Sequence, residues 1–212
     1  MYSNNILFMS YSLNYKNHLP YSKWYEDMNS LREHIEERCM EITTKYNQQK
    51  EIYMQVLCKE YAKGEGVGKA FEQNYSPSLE IILKQNEELI SLEKEIKSTL
   101  EKTLKDIINK SILSKKKRPY ESYINFYIRE IEERKEINMS NFSKQKKSID
   151  EMNKKRNDSE HNKDSVLRDI NVDYIINTVK DTFDYMNELI KKLYEKNKYK
   201  LSYTRKCGRA AR

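Results

Sequence analysis

Only four glycines and three prolines occur in 212 residues. Turns depend on these two residue types, because glycine reaches positive φ and proline presets φ for a reversal. A chain this poor in both has few places to change direction. Many-stranded folds are excluded on that ground, and long helices are the economical solution. Charged residues make up 34% and hydrophobic residues 37% of the chain. The apolar ones are spread thinly and regularly, which suits stripes along helices better than one central ball. A three-helix monomer buries only narrow seams, so a second copy is expected to supply the rest of the core.

The stripes can be read directly. Residues 1–20 are rich in Tyr, Asn and Ser and end at Pro20; they read as a flexible leader. Ile6, Leu7, Phe8 and Met9 cluster there, but Lys16 alone is a thin basic face for an interfacial wedge. The spacing predicts a first helix from Tyr21–Lys23. Its apolar positions are Trp24, Met28, Leu31, Ile35, Cys39, Ile42, Tyr46, Tyr53 and Val56, in steps of mostly three and four. It runs out at Gly64, Gly66 and Gly68. Those glycines are spaced G-x-G-x-G, with no preceding strand and no following GK[ST], so they read as a bend and not as a phosphate loop.

Ser76-Pro77 opens the expected second helix, proline being favoured in a first turn. Its stripe is Leu79, Ile82, Leu83, Leu89, Ile90, Ile96, Leu100, Leu104, Ile107 and Ile108, with Glu93–Lys97 and Glu101–Lys105 at pairing distance along the helix. A basic run, Lys115, Lys116, Lys117 and Arg118, stops at Pro119, where a kink is expected. The pattern resumes through Tyr120, Ile124, Tyr127, Ile131, Phe142, Ile149 and Met152. Residues 153–164 contain no apolar residue and read as a loop. A third helix follows over about 165–198, carrying Val166, Ile170, Tyr174, Ile175, Val179, Phe183, Met186, Ile190 and Leu193. The remainder, 201–212, is a basic tail. The expected fold class is all-α: three long kinked helices in an elongated antiparallel coiled-coil bundle. A second helix of some seventy residues would reach on the order of 100 Å.

This layout resembles a BAR domain, closest to those of Arf GTPase-activating proteins that also carry PH and ankyrin domains. LREHIEERCMEITTKY resembles their first-helix pattern, and VLCKEYAKGEGVGKAFEQNY the end of that helix. IEERKEINMSNFSKQKKSIDEMNKKRND is similar to the second-helix stretch leading into the tip loop. Val172, Asp173, Tyr174 and Ile175 match an apolar-Asp-Tyr-apolar run in their third helix. The resemblance spans roughly residues 22–200. SKKKRPYESYINF is extra length relative to the family, and no PH, GAP or ankyrin segment follows, so GTPase activation is not expected. The resemblance implies a homodimer with a six-helix core that lays basic surfaces on anionic phospholipid membrane and senses or shapes its curvature. The implied membrane contacts are Lys144, Lys146, Lys147, Lys154, Lys155, Arg156, Lys163 and Arg168, with Lys115, Lys116, Lys117 and Arg118 as a second group.

Formal net charge is +7, which fits an acidic partner. Tyr120, Tyr123, Phe126 and Tyr127 beside the KKKR run invite a base-stacking reading, but they fall at helical spacing and read as core; nucleic acid is not the expected partner. Cys39, Cys58 and Cys207 form no CxxC pair, and with three histidines no zinc spacing arises. Scattered cysteines fit a reducing compartment. No stretch approaches the roughly 18 apolar residues of a membrane span. The carboxylates lie between lysines on solvated faces. The expectation is therefore a non-enzyme without metal or cofactor, cytoplasmic and peripheral on membranes. The alternative is a coiled-coil tether or cytoskeletal adaptor with no lipid role.

Overall fold

The computed structural model describes residues 18–62, 67–109, 117–119, 121–161 and 170–207. Among these the chain is all-helical, with no strand. Five α-helices follow in order: α1 (Tyr21–Ala62), α2 (Val67–Asn109), α3 (Tyr123–Arg134), α4 (Ser143–His161) and α5 (Val172–Cys207). A single 3-10 turn, Ser140–Phe142, precedes α4.

α1 and α2 form an antiparallel hairpin. Tyr46 Oη donates to Glu88 at 2.9 Å, and His34 lies 3.6 Å from Glu95 further along. α5 lies antiparallel to α1, with Tyr194 against Tyr21 at one end and Lys180 by Glu36 at the other. α3 packs on α2, and α4 packs along α5. The sequence stripe of α1 is buried from Trp24 to Tyr46, that of α2 from Leu89 to Ile108 and that of α5 from Ile175 to Leu193, with Ile170 buried just before α5. Together with Ile124, Phe126, Tyr127, Ile128, Ile131, Ile137, Met139, Ile149 and Met152 they make one continuous apolar cluster.

The long bent second helix is replaced by separate elements. α2 begins ten residues before Pro77 and ends at Asn109. Pro119 sits in an exposed turn, and Ser122 caps a new helix, its hydroxyl accepting from the Asn125 N–H at 3.1 Å. This break folds α3 back onto α2. Ile124, Phe126, Tyr127, Ile128 and Ile131 thus cover a flank that a continuous helix would leave bare, and the core within one chain is wider than three seams.

α3 ends in a Schellman motif. Ile137 N–H donates to the Glu132 carbonyl at 2.8 Å and Glu136 N–H to the Glu133 carbonyl at 3.3 Å. Glu136 takes the left-handed position, φ 48°, that usually falls to glycine. Of the expected loop at 153–164, residues 153–161 are helical instead, because α4 continues to His161. α5 starts at Val172 and not near Ser165, since the Asn171 side chain caps it by accepting from the Tyr174 N–H at 2.8 Å. Residues 1–17 of the leader, the Gly64–Gly66 bend, Lys115, Lys116, Tyr120 and Val166 lie outside the described residues.

Beyond Tyr46 on α1 and before Leu89 on α2 no described residue is buried. The hairpin therefore extends past the body as a two-helix arm. The sixteen α1 residues from 47 to 62 make it about 24 Å long. Ile52, Met54, Val56, Leu79 and Ile82 are exposed on it.

Candidate functional site

The basic residues singled out in the sequence separate into three groups. On α4, Lys144, Lys147 and Lys154 are exposed and spaced i, i+3, i+10, which places them with Glu151 on one outward face. The Lys144 and Lys147 side chains are 84% and 77% exposed. Each has a carboxylate nearby, Asp181 at 3.8 Å and Glu151 at 3.7 Å. Lys146 points elsewhere. It binds Glu132 at 2.9 Å, between α4 and the end of α3, and serves packing.

Lys117 and Arg118 form the second group. Lys117 Nζ donates to the Glu121 carbonyl at 2.6 Å and lies 5.1 Å from the Tyr123 ring centroid. The Arg118 N–H donates to the Glu121 carboxylate at 2.9 Å. Both residues build the turn that leads into α3. Lys155 and Arg156 belong to the last turns of α4, with side chains outside the described residues; Lys163 and Arg168 lie wholly outside them.

The aromatic residues beside the basic run divide. Phe126 and Tyr127 are buried in the core, as their helical spacing predicts, and Tyr123 is exposed. Cys39 is buried and Cys58 exposed, both free. Burial, with Glu36 nearby, pushes the Cys39 thiol up to about 11, so it is a packed apolar group and not a nucleophile. No cluster of three potential metal ligands exists among the described residues. Among them, too, no helix is long and apolar enough to cross a membrane.

No protein-family model, curated protein or solved structure matches the chain.

The sequence reading missed a buried polar seam. Glu93 is 4% exposed and accepts from Tyr174 Oη at 3.0 Å, joining α2 to α5. Tyr185, fully buried, donates to Glu132 at 2.7 Å, joining α5 to α3. Burial first, then the facing carboxylate, raises the Oη pKa of both tyrosines, so both remain donors. Thr178, Thr182 and Asn153 are buried beside them. Glu130, 1% exposed, pairs with Arg134 at 2.9 Å and Arg129 at 3.7 Å. One signal was available: Glu93 sits in phase with Leu89 and Ile96, and Glu130 with Tyr127 and Ile131. A carboxylate in a core phase marks a buried ion pair or hydrogen bond. These groups fix how the helices register.

Proposed function

We propose that this chain is a non-catalytic helical scaffold that docks on anionic membrane, the peripheral, cytosolic, BAR-like role that the sequence resemblance implies. The observation carrying the reading is the outward row Lys144, Lys147 and Lys154 on α4. Ion pairs as exposed as those to Asp181 and Glu151 contribute about 0–1 kcal/mol, so they open readily and leave the ammonium groups to a surface. Each lysine near an anionic bilayer adds about 1 kcal/mol. The contribution is screened within about 8 Å at physiological salt, so binding falls as salt rises.

Co-sedimentation with phosphatidylserine vesicles tests this. The wild-type chain pellets at low salt, and a variant combining Lys144→Glu, Lys147→Glu and Lys154→Glu stays in the supernatant. If the wild type ignores these vesicles at low salt, the lipid role is lost.

A second reading, a homodimeric tether that needs no lipid, is favoured by the arm. Helical phase continues the groove that α5 fills in the body out to Met54, Leu57, Leu79, Ile82 and Leu83 on the arm. Residues 47–58 carry only Lys50 and Glu51 as charges, so two copies meet without strong repulsion. Two arms packed side by side make a four-helix bundle with the self-complementary symmetry of a two-fold dimer.

A further inference from the structure

We infer that the arm receives the arm of a second copy in antiparallel overlap, tip to base, which leaves the two bodies at opposite ends of a rod. This rests on the tether reading and fixes how the partner lies. The side of the arm that is apolar decides it. α5 occupies one side of α1, where Glu36 lies 4.0 Å from Lys180 and Arg32 sits over the Phe183 ring. Met54 lies about five helical turns beyond Glu36 and so falls on that same side. On α2, Glu93 meets α5 through Tyr174, and Ile82 lies about three turns before it on the same side. The pairing of Glu36 with Lys180 sets Val172, the first residue of α5, level with about Thr44. The uncovered apolar side of the arm thus begins where α5 stops.

A second arm laid on this side follows the line that α5 takes in the body. If the copies ran parallel, the partner's α1 and α2 would continue into the space that α5 already fills. With the copies antiparallel, the partner's tip stops at the start of α5 and its body lies past this arm's own tip. The whole length of each arm, about 24 Å, is then covered. Two such arms, each two helices wide, bury on the order of 1,000 Å² in total, which is what a specific interface needs.

The residues at the arm's centre fit this overlap. Between Tyr46 and the end of α1 the midpoint falls at Met54. Glu88 pairs with Tyr46 at the arm's base, and the α2 residue across from Met54 is close to Leu79. Both are exposed. Around a two-fold axis a central residue meets its own copy, so Met54 packs on Met54 and Leu79 on Leu79. The flexible thioether of methionine suits such a self-contact. Lys50, on the same side of α1 as Met54, then lies opposite the partner's stretch around Cys58. Parallel copies would set it against a second Lys50. The geometry also spaces the basic rows of α4. Lys144 stands by Asp181, level with about Ile35 on α1, so the two rows lie on the order of 50 Å apart along the rod.

Pulsed EPR distances between nitroxides on two copies of the full chain test the orientation. One sample is labelled at the native, exposed Cys58 and the other at Thr44→Cys with Cys58→Ser; both carry Cys207→Ser, and Cys39 is buried. Positions 44 and 58 lie on nearly the same side of α1, so their sideways offsets from the axis are alike. In antiparallel overlap the two labels at 44 are separated by about 30 Å along the rod and those at 58 by about 10 Å. The expected result is a dimer by light scattering with a clearly longer distance at 44, and loss of both distances on adding Met54→Glu with Ile82→Glu. A dimer whose distances are equal, or longer at 58, overturns the antiparallel overlap and leaves the tether reading standing. Distances that survive the two glutamates place the contact off the arm and overturn it as well. A chain that is monomeric at every concentration removes the tether reading itself.

Discussion

At the scale of single residues, Glu121 does more than its place in a short turn would indicate. Arg129 Nε and Nη2 each donate to its carboxylate at 2.9 Å, and the Arg118 N–H donates at 2.9 Å as well. The Arg129 bonds above all, with those of Arg118, hold the Glu121 carboxyl at about 2 against an ordinary value of 4.5. The folded pKa lies below the unfolded one, so folding favours the ionised form. Its stabilisation is complete above about pH 4.5 and is lost as the pH falls towards 2. Glu121→Gln is expected to flatten that part of the acid limb and to cost about 1–2 kcal/mol at neutral pH. Urea unfolding across the acid range reads both effects. The charge-charge logic is visible in the sequence only once the reversal between α2 and α3 is known. Eight positions separate Glu121 from Arg129, and a turn and a helix start lie between them.

The joint after α3 is the instructive case among the elements. The left-handed position is occupied by Glu136, and α5 holds the joint from outside. Lys196 binds the Lys135 carbonyl and, at 2.8 Å, the Glu136 carboxylate. Glu136→Gly relieves the left-handed strain but forfeits the pair to Lys196, so stability should change by less than about 1 kcal/mol. Glu136→Val places a β-branched side chain where its Cβ clashes and should cost about 1–3 kcal/mol. Thermal melts of the two variants separate strain from ion pairing.

Body and arm differ in the same measurable way. Ile96 is fully buried between helices, and Ile96→Ala should cost about 2–4 kcal/mol. Ile52 is 62% exposed, and Ile52→Ser should stay within about 0.5 kcal/mol. Equal losses in chemical denaturation would mean that the arm is covered in solution.

For the whole molecule, a single chain closes a continuous core, and among the described residues Ile52, Met54, Val56, Leu79 and Ile82 are exposed on the arm, while Leu19, Met40 and Tyr123 are exposed elsewhere. Under the tether reading the chain sediments as a dimer at micromolar concentration. Met54→Glu with Ile82→Glu returns it to a folded monomer whose melting temperature no longer rises with protein concentration, and light scattering after gel filtration checks the mass. A wild-type monomer at every concentration removes the tether reading and leaves the membrane one untouched.

The sequence by itself determined the helical class, the start of α1 at Tyr21 and most of the buried stripes. Those are local properties: the scarcity of glycine and proline acts on turns, and the period of Trp24 to Tyr46 or Ile175 to Leu193 is written into one helix at a time. The phase of a stripe says which face is apolar but not whether anything covers it. Tyr46 and Met54 both belong to apolar α1, yet one is buried and the other is not, because α5 ends its cover between them. Likewise Lys144 and Lys146 look alike in the sequence, and only the approach of Glu132 makes one of them a packing residue. The reversal between α2 and α3 was beyond the sequence for the same reason. Pro119 marks a break, but whether the chain bends or folds back depends on how much apolar area α3 buries against α2, which is a property of the assembled bundle.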